Sequence, residues 1–157
     1  MVRLEPWGPG DLELLQRLNG DPAMTEHLGG PETPEKIASR QQRYETDPGC
    51  LKIVADGEDV GWVGYWEREW RGGTVYEVGW SVLPEAQGRG IATAATKLAI
   101  EAARATGEHR YLHAFPSVDN AASNAICAKA GFTLLDGLDF EYPPGSRLRC
   151  NDWRIEL

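Results

Sequence analysis

The segment Leu83-Pro84-Glu85-Ala86-Gln87-Gly88-Arg89-Gly90-Ile91-Ala92 joins an apolar, strand-like run to the most regular helical pattern of the chain. A glycine-rich turn at a helix start points several unpaired backbone N–H groups at one spot, and the helix dipole adds positive potential there. Gly88 and Gly90 allow a close backbone approach, and Arg89 adds a positive charge at the rim. The segment therefore predicts an anion site that suits a pyrophosphate.

Two other phosphate-binding motifs match this turn less well. A dinucleotide fingerprint requires a third Gly or Ala where Thr93 stands, and a nucleoside-triphosphate loop requires a Gly-Lys-Ser/Thr triplet that the turn lacks. The sequence favours neither of these cofactor classes.

Three strand patterns precede the turn. Residues 51–55, 60–66 and 75–83 are rich in apolar and β-branched side chains, and the second strand reaches Trp70 if its alternation continues. Short segments rich in Gly separate the three strands. An antiparallel meander is predicted.

The rest of the chain adds helices and outer strands. The predicted elements are a strand at 2–4, a helix after Gly10-Asp11 with Leu12, Leu15 and Leu18 on its apolar face, a helix from the Thr33 cap to Thr46, a helix at 91–106 with Ile91, Ala95, Leu98 and Ala102 on one face, a strand at 110–115, a helix at 121–130, and two strands flanking Pro143-Pro144-Gly145. The loop around His27 is free to shape a pocket. This order predicts an α+β fold with a mixed, mostly antiparallel sheet of about seven strands covered by about four helices. We expect a single domain over residues 1–157.

The composition excludes several classes of function. The formal net charge is −8, and no run of Lys or Arg offers the basic stripe that nucleic acids require. No apolar stretch approaches the ~20 residues of a membrane span. Cys50, Cys127 and Cys150 show no metal-ligand spacing and fit a reducing compartment. We expect a cytoplasmic protein without a metal, a nucleic-acid partner or a membrane partner.

Four short motifs together resemble one family. Gln87, Gly90 and Ala92 fit the pyrophosphate motif Gln/Arg-x-x-Gly-x-Gly/Ala. The further matches are Glu77-Val78-Gly79-Trp80, Asn120-Ala121-Ala122-Ser123 and Lys129-Ala130-Gly131-Phe132. The chain thus resembles, over nearly its whole length, the GNAT superfamily of acetyl-coenzyme A-dependent N-acyltransferases. Within that superfamily it is most similar to the branch that contains the ribosomal-protein alanine acetyltransferases.

The resemblance implies where coenzyme A binds. The strands that hold Glu77 and Tyr111 are expected to splay apart at the centre of the sheet, so that the pantetheine arm lies between them. The implied contacts are backbone groups of Trp80, Ser81 and Val82 and the side chain of Asn120 for pantetheine, and Gln87 with the N–H groups of Gly88, Arg89, Gly90, Ile91, Ala92 and Thr93 for the pyrophosphate. The branch often forms dimers, which leaves a homodimer open for this chain.

One helix face is predicted to serve the leaving thiolate. Asn120, Ser123 and Cys127 stand at i, i+3 and i+7, so all three can share the coenzyme A site. Many superfamily members have a Tyr where Cys127 stands, and this chain lacks it. The resemblance to the alanine acetyltransferase branch implies Ser123 as the general acid; a hydroxyl that only bonds back to its own helix is the alternative. Cys127 is either a small buried hydrophobe or an acyl-carrying nucleophile, and the second role requires a base.

Alternation along the strands predicts the acceptor side. Glu77 shares a face with Gly79 and Ser81, so it cannot belong to a pure core. In the family this face looks into the acceptor site, where Glu77 would hold a water or take a proton from the amine; a solvent-facing or paired glutamate is the alternative. Trp62, Trp66 and Trp70 share a face as well, either as core or as a pocket wall for an ammonium group. For the dispersed His27, His109 and His113, structural or surface roles are expected.

These observations predict an enzyme that transfers an acetyl group from acetyl-coenzyme A directly to a primary amine, on a small molecule or a protein N-terminus. The predicted reaction requires no metal. Two alternatives stay open. One is a different donor on the same fold, such as succinyl-coenzyme A, and the other is a catalytically silent coenzyme A-binding sensor.

Overall fold

The computed structural model describes residues 1–26, 29–141 and 147–157. Within these residues the chain forms seven strands in one sheet and four α-helices. The strands are β1 (Val2–Pro6), β2 (Cys50–Ala55), β3 (Glu58–Trp70), β4 (Gly73–Val82), β5 (Tyr111–Ala114), β6 (Thr133–Glu141) and β7 (Arg147–Glu156). The helices are α1 (Leu12–Asn19), α2 (Pro34–Thr46), α3 (Ile91–Thr106) and α4 (Ala121–Ala130). The predicted α+β class is confirmed, while the Pro143-Pro144-Gly145 turn and His27 lie outside the described residues.

The sheet is mixed. Its strands follow the order β1-β2-β3-β4-β5-β7-β6, and β4 with β5 is the parallel pair of this sheet as described. The other neighbouring strands pair antiparallel. The predicted β2-β3-β4 meander is therefore confirmed.

Strands β4 and β5 are joined over a very short distance. Their ladder consists of Tyr76 with Leu112 and of Glu77 with His113. Beyond Glu77, β4 continues to Val82 with β3 as its ladder partner. The two strands therefore separate from this point onward, as predicted, and a cleft opens between them. We call the pair Glu77 and His113 the apex of the cleft.

Helices cover both faces of the sheet. The larger core lies on the face of Tyr76 and Val78, against α3 and α4. A second core joins α1 and α2 to the opposite face, with Trp62 at its margin. No helix in the described ranges is long and apolar enough to cross a membrane.

The buried faces of two helices differ from the predicted ones. On α3, Leu98 is 41% exposed and lines a shallow groove with Ala130 and Ile155. The buried residues of α3 are Ile91, Ala95, Thr96, Ala99, Ile100 and Ala103. This stripe is dominated by small side chains, which let the helix approach the sheet closely, so the larger Leu98 is left outside. On α1, Leu12 at the helix start is exposed and Leu14 is buried instead.

All three cysteines are free and buried in the core. Burial raises the pKa of Cys127 from its ordinary value of 9.0 to about 12. Burial also raises the pKa of Cys50 to about 12. The folded protein therefore holds these thiols neutral at pH values where the unfolded chain ionises them.

We expect a loss of stability at alkaline pH that depends on Cys127. Because its folded pKa lies above its unfolded value, the contribution is complete below pH 9 and is lost between pH 9 and 12. At pH 10 the thiol should account for about 1.4 kcal/mol of lost stability. Urea unfolding at pH 8 and pH 10 should show a smaller difference for Cys127→Ala than for the unchanged protein. Equal differences would contradict this assignment.

Candidate functional site

The turn between β4 and α3 presents backbone donors. Gly88 and Gly90 have φ angles of 77° and 76°, in the left-handed region that favours glycine. Gly90 caps α3 without a side-chain bond, and the first helical bond runs from Ala94 N–H to the Gly90 carbonyl at 3.1 Å. Among the described residues, the N–H groups of residues 91–93 therefore lack a helical partner. The first turn of α3 holds no acidic side chain, so its positive dipole end is not neutralised.

Gln87 holds this turn together. Its side-chain Nε2 donates to the Val82 carbonyl at 2.9 Å, and its backbone N–H donates to the Pro84 carbonyl at 3.2 Å. Both donors are thus used inside the turn, which favours a supporting role over the predicted direct contact with a pyrophosphate. Arg89 is exposed at the rim.

The predicted pantetheine-binding residues border the cleft. Trp80 packs against the larger core, Val82 is buried, and Ser81 is half-buried. On the β5 side, their backbone groups have no strand partner among the described residues. Such an edge can bond an extended ligand in place of a strand.

The segment after β5 leads into the N-terminus of α4. Asn120 caps the helix, because its Oδ1 accepts the Ser123 N–H at 3.1 Å. Ser123 is half-buried, and among the described residues its side-chain-mediated bond is the one from its backbone N–H to Asn120, with none from its hydroxyl back to the helix. This leaves the hydroxyl available for a ligand.

Cys127 does not face a ligand site in this structure. It is 0% exposed and belongs to the core beneath α4. Its raised pKa of about 12 leaves almost no thiolate at neutral pH. This burial does not favour the predicted contact of Cys127 with coenzyme A, which stays a prediction. The interpretation of Cys127 as a small buried hydrophobe is favoured.

Asn124, which the sequence analysis did not single out, fixes α4 to β7. Its Nδ2 donates to the carbonyls of Ser117 and Asn120 at 2.9 and 2.8 Å. Its Oδ1 accepts from Asn151 Nδ2 and Trp153 Nε1, both at 2.8 Å. The side chain therefore sets the position of the helix start that carries Asn120. The four partners lie in the segment before α4 and on β7, and a single sequence does not show that these segments meet.

Glu77 is paired at the apex. Arg68 Nη1 donates to Glu77 Oε1 at 2.7 Å, and the Glu77 side chain is 17% exposed. The Arg68 guanidinium lies over the rings of Phe115 and Trp70, at 4.8 and 5.3 Å from their centroids. The structure thus places Glu77 on the predicted face, within an ion pair.

The tryptophan stripe is half-buried rather than core. Trp62 stacks on Tyr44 at 5.1 Å and on Trp66 at 6.2 Å between ring centroids. The two indoles cover glycines: a Cβ on Gly64 would overlap Trp62, and one on Gly79 would lie 3.0 Å from Trp66 Cη2. The stripe therefore forms an aromatic surface beside Glu77.

His113 forms a second close side-chain pair at the apex. Its Nδ1 lies 2.6 Å from Asp152 Oδ1, and the side chains of His113 and Asp152 are 4% and 0% exposed. The imidazole stacks on Phe115 with centroids 5.6 Å apart. The pair was not predictable from the sequence, because Asp152 is distant from His113 in the chain.

One group of metal-ligand-type side chains occurs among the described residues. Atoms of Glu67, Glu108 and His109 lie within 4.8 Å of one another. Both glutamates are exposed, and the group lies apart from the cleft residues described above.

Solved structures share this fold. The structure of a GNAT-family acetyltransferase from Bacillus anthracis matches with a TM-score of 0.84 at 17% identity, covering 99% of this chain and 94% of that one. Ribosomal-protein-alanine N-acetyltransferase from Brucella melitensis matches with a TM-score of 0.78 at 26% identity, covering 100% and 99%. Spermidine N-acetyltransferase from Vibrio cholerae, solved with coenzyme A and spermine, matches with a TM-score of 0.78 at 18% identity, covering 99% and 95%. No curated protein sequence matches the chain significantly.

Residues 2–133 match the family model of the acetyltransferase (GNAT) domain. The chain belongs to the GNAT family of acetyltransferases. It is a transferase enzyme, and the resemblance drawn from the four sequence motifs is confirmed.

We expect Asn124→Leu to destabilise the protein by ~3 kcal/mol, because four partly buried polar groups each lose a hydrogen bond. Asn124→Asp keeps the acceptor oxygen for Asn151 and Trp153, so its loss should be smaller. Urea unfolding of the three proteins measures both values. An Asn124→Leu protein as stable as the unchanged one would show that the network is not stabilising.

Proposed function

We propose that this protein acetylates a primary amine by direct transfer from acetyl-coenzyme A. The observation that carries the proposal is the placement of the unpaired N–H groups of residues 91–93 at the open end of the cleft between β4 and β5. A helix start with free donors suits a pyrophosphate, and a strand edge without a partner suits the amide groups of pantetheine.

The dimensions of β4 support this placement. The stretch from Glu77 to Val82 spans about 16 Å at about 3.3 Å per residue, comparable to an extended pantetheine arm. A pyrophosphate at the turn therefore brings the thioester close to the apex. The relative from Vibrio cholerae was solved with coenzyme A, which agrees with this use of the fold.

The chemistry requires only side chains and backbone near the apex. The amine nitrogen forms a bond to the acetyl carbon, backbone N–H groups hold the oxyanion, and the C–S bond breaks. The Ser123 hydroxyl gives its proton to the departing thiolate and recovers one from solvent. The burial of Cys127 supports direct transfer over an acyl-cysteine intermediate.

The acceptor face is suited to a cationic amine. Glu77 supplies a carboxylate, and Trp62 and Trp66 supply π systems beside it. We assign Glu77 to holding the acceptor ammonium. The three free cysteines fit a reducing compartment, and we place the protein in the cytoplasm.

Replacement of Gly90 should test the pyrophosphate site. A Cβ at Gly90 meets nothing within 4 Å, and both Asp and Asn tolerate the left-handed conformation. Gly90→Asp and Gly90→Asn differ chiefly in charge, so Gly90→Asp should bind coenzyme A at least ~10-fold more weakly. Calorimetric titration measures both affinities. Equal affinity of the two variants would remove the pyrophosphate from this turn.

Replacement of Ser123 should test the leaving-group role. We expect Ser123→Ala to lower turnover by ~10²-fold with little change in coenzyme A affinity, because it removes the proton donor only. Ser123→Thr keeps the hydroxyl and is the matched control. Release of free thiol from acetyl-coenzyme A over a panel of amines gives the rates. Full activity of Ser123→Ala would assign the proton transfer to another group.

A further inference from the structure

We propose that His113 takes the proton of the acceptor amine and that Asp152 holds it in position. The proposal rests on the proposed function, because it requires the thioester to lie at the apex. Two titratable side chains are ladder partners there, Glu77 on β4 and His113 on β5. Glu77 pairs with Arg68 and His113 with Asp152, so the two side chains are suited to different roles in the reaction.

The pairing of Glu77 disfavours it as the proton acceptor. Its Oε1 accepts from Arg68 at 2.7 Å, and protonation would weaken that ion pair. His113 is in the opposite situation, because a positive imidazolium gains attraction from Asp152 at 2.6 Å. The acceptor proton is therefore better received by the imidazole.

The geometry of the imidazole supports this direction. The two ring nitrogens diverge, so binding of Nδ1 to Asp152 on β7 turns Nε2 away from β7. The ring stacks on Phe115 and packs at a tilt against Trp70, with centroids 5.6 and 6.3 Å away. These rings limit the access of bulk water to the imidazole, which strengthens its interaction with Asp152.

Asp152 gives an independent indication. Among the described residues its Oδ2 is buried without a hydrogen-bond partner, and a buried charge that lacks partners is destabilising. A neutral asparagine could accept from His113 Nδ1 through its Oδ1 and join β7 to β5 without placing a charge there. The carboxylate is explained if its task is to stabilise a transient positive charge on His113.

Several other charged or titratable groups bear on this pair. They are Glu77 on β4, Arg68 on β3, Cys150 and Arg154 on β7, and Asp136 on β6. Arg154 lies over the Tyr111 ring at 4.2 Å, and Arg68 is engaged with Glu77. Asp152 is therefore the carboxylate that contacts the imidazole directly.

The proposed step balances. His113 Nε2 takes one proton from the acceptor ammonium, and the freed nitrogen lone pair attacks the acetyl carbon. When the C–S bond breaks, its electron pair goes to sulfur, which is protonated as described for Ser123. The nitrogen loses its second proton to solvent, and His113 then releases the first, so that amide, thiol and one proton are the products.

The test compares pH profiles of turnover from pH 6 to 10 for His113→Gln, Asp152→Asn and Glu77→Gln. Spermine and a peptide with an N-terminal alanine serve as acceptor probes. We expect His113→Gln to lower turnover of spermine at pH 7 by ~10²-fold and to recover much of it toward pH 9, because an amine that is already neutral needs no base. Asp152→Asn should show the same pattern more weakly, and Glu77→Gln should raise KM for spermine without changing the shape of the profile.

The outcomes are distinguishable. A defect of His113→Gln that is equal at every pH would make the pair a structural link between β5 and β7, and a pH-dependent defect of Glu77→Gln alone would make Glu77 the base. Nitrogen NMR of the resting enzyme should find Nδ1 protonated and Nε2 unprotonated, and the reverse tautomer would overturn the proposal whatever the activity. If calorimetry finds that the unchanged protein does not bind coenzyme A, the proposed function itself is rejected.

Discussion

The two residue pairs that join β4 to β5 are the constraint on which the structure depends. With fewer ladder pairs between β4 and β5, the sheet would separate into two halves. With more ladder pairs, the cleft between these strands would close. The helices on one face maintain this balance, because α3 packs on β3 and β4 while α4 connects α3 to β6. The unpaired backbone that results is tolerable where a ligand can satisfy it.

In the proposed function, the cleft separates two kinds of recognition. The proposed coenzyme A side consists of backbone groups, namely the start of α3 and the open edge of β4. The proposed acceptor side consists of side chains, with the Arg68 and Glu77 pair, the His113 and Asp152 pair and the aromatic stripe around the apex. Backbone recognition is compatible with many sequences, which agrees with a shared fold among relatives of low identity.

Local sequence patterns predicted most of the fold. The α3 and α4 boundaries followed from the glycines that end them, and the meander followed from strand composition and Gly-rich turns. The faces of α1 and α3 were less predictable, because Leu12 and Leu98 fit a helical repeat equally well inside or outside. Only packing against the sheet decides between these arrangements.

The site could be predicted where one segment contains it and not where distant segments meet. The Gly-rich turn after β4 and the start of α4 at Ala121 are local, and the structure agrees with both predictions. The pairs of Glu77 with Arg68 and of His113 with Asp152 cross strands, and the burial of Cys127 depends on the whole core. Such relations require the register of the sheet, which no spacing in the sequence supplies.

The indoles that lie over Gly64 and Gly79 have an evolutionary consequence. A methyl group gained at Gly64 would displace Trp62, and one at Gly79 would shift Trp66 slightly, so either would reshape the proposed acceptor pocket and leave the turn at α3 untouched. If this aromatic surface binds the acceptor as proposed, selection can explore new acceptors through single codons without disturbing the donor site. The same indoles make this surface intrinsically fluorescent, so that its remodelling would be visible without a label.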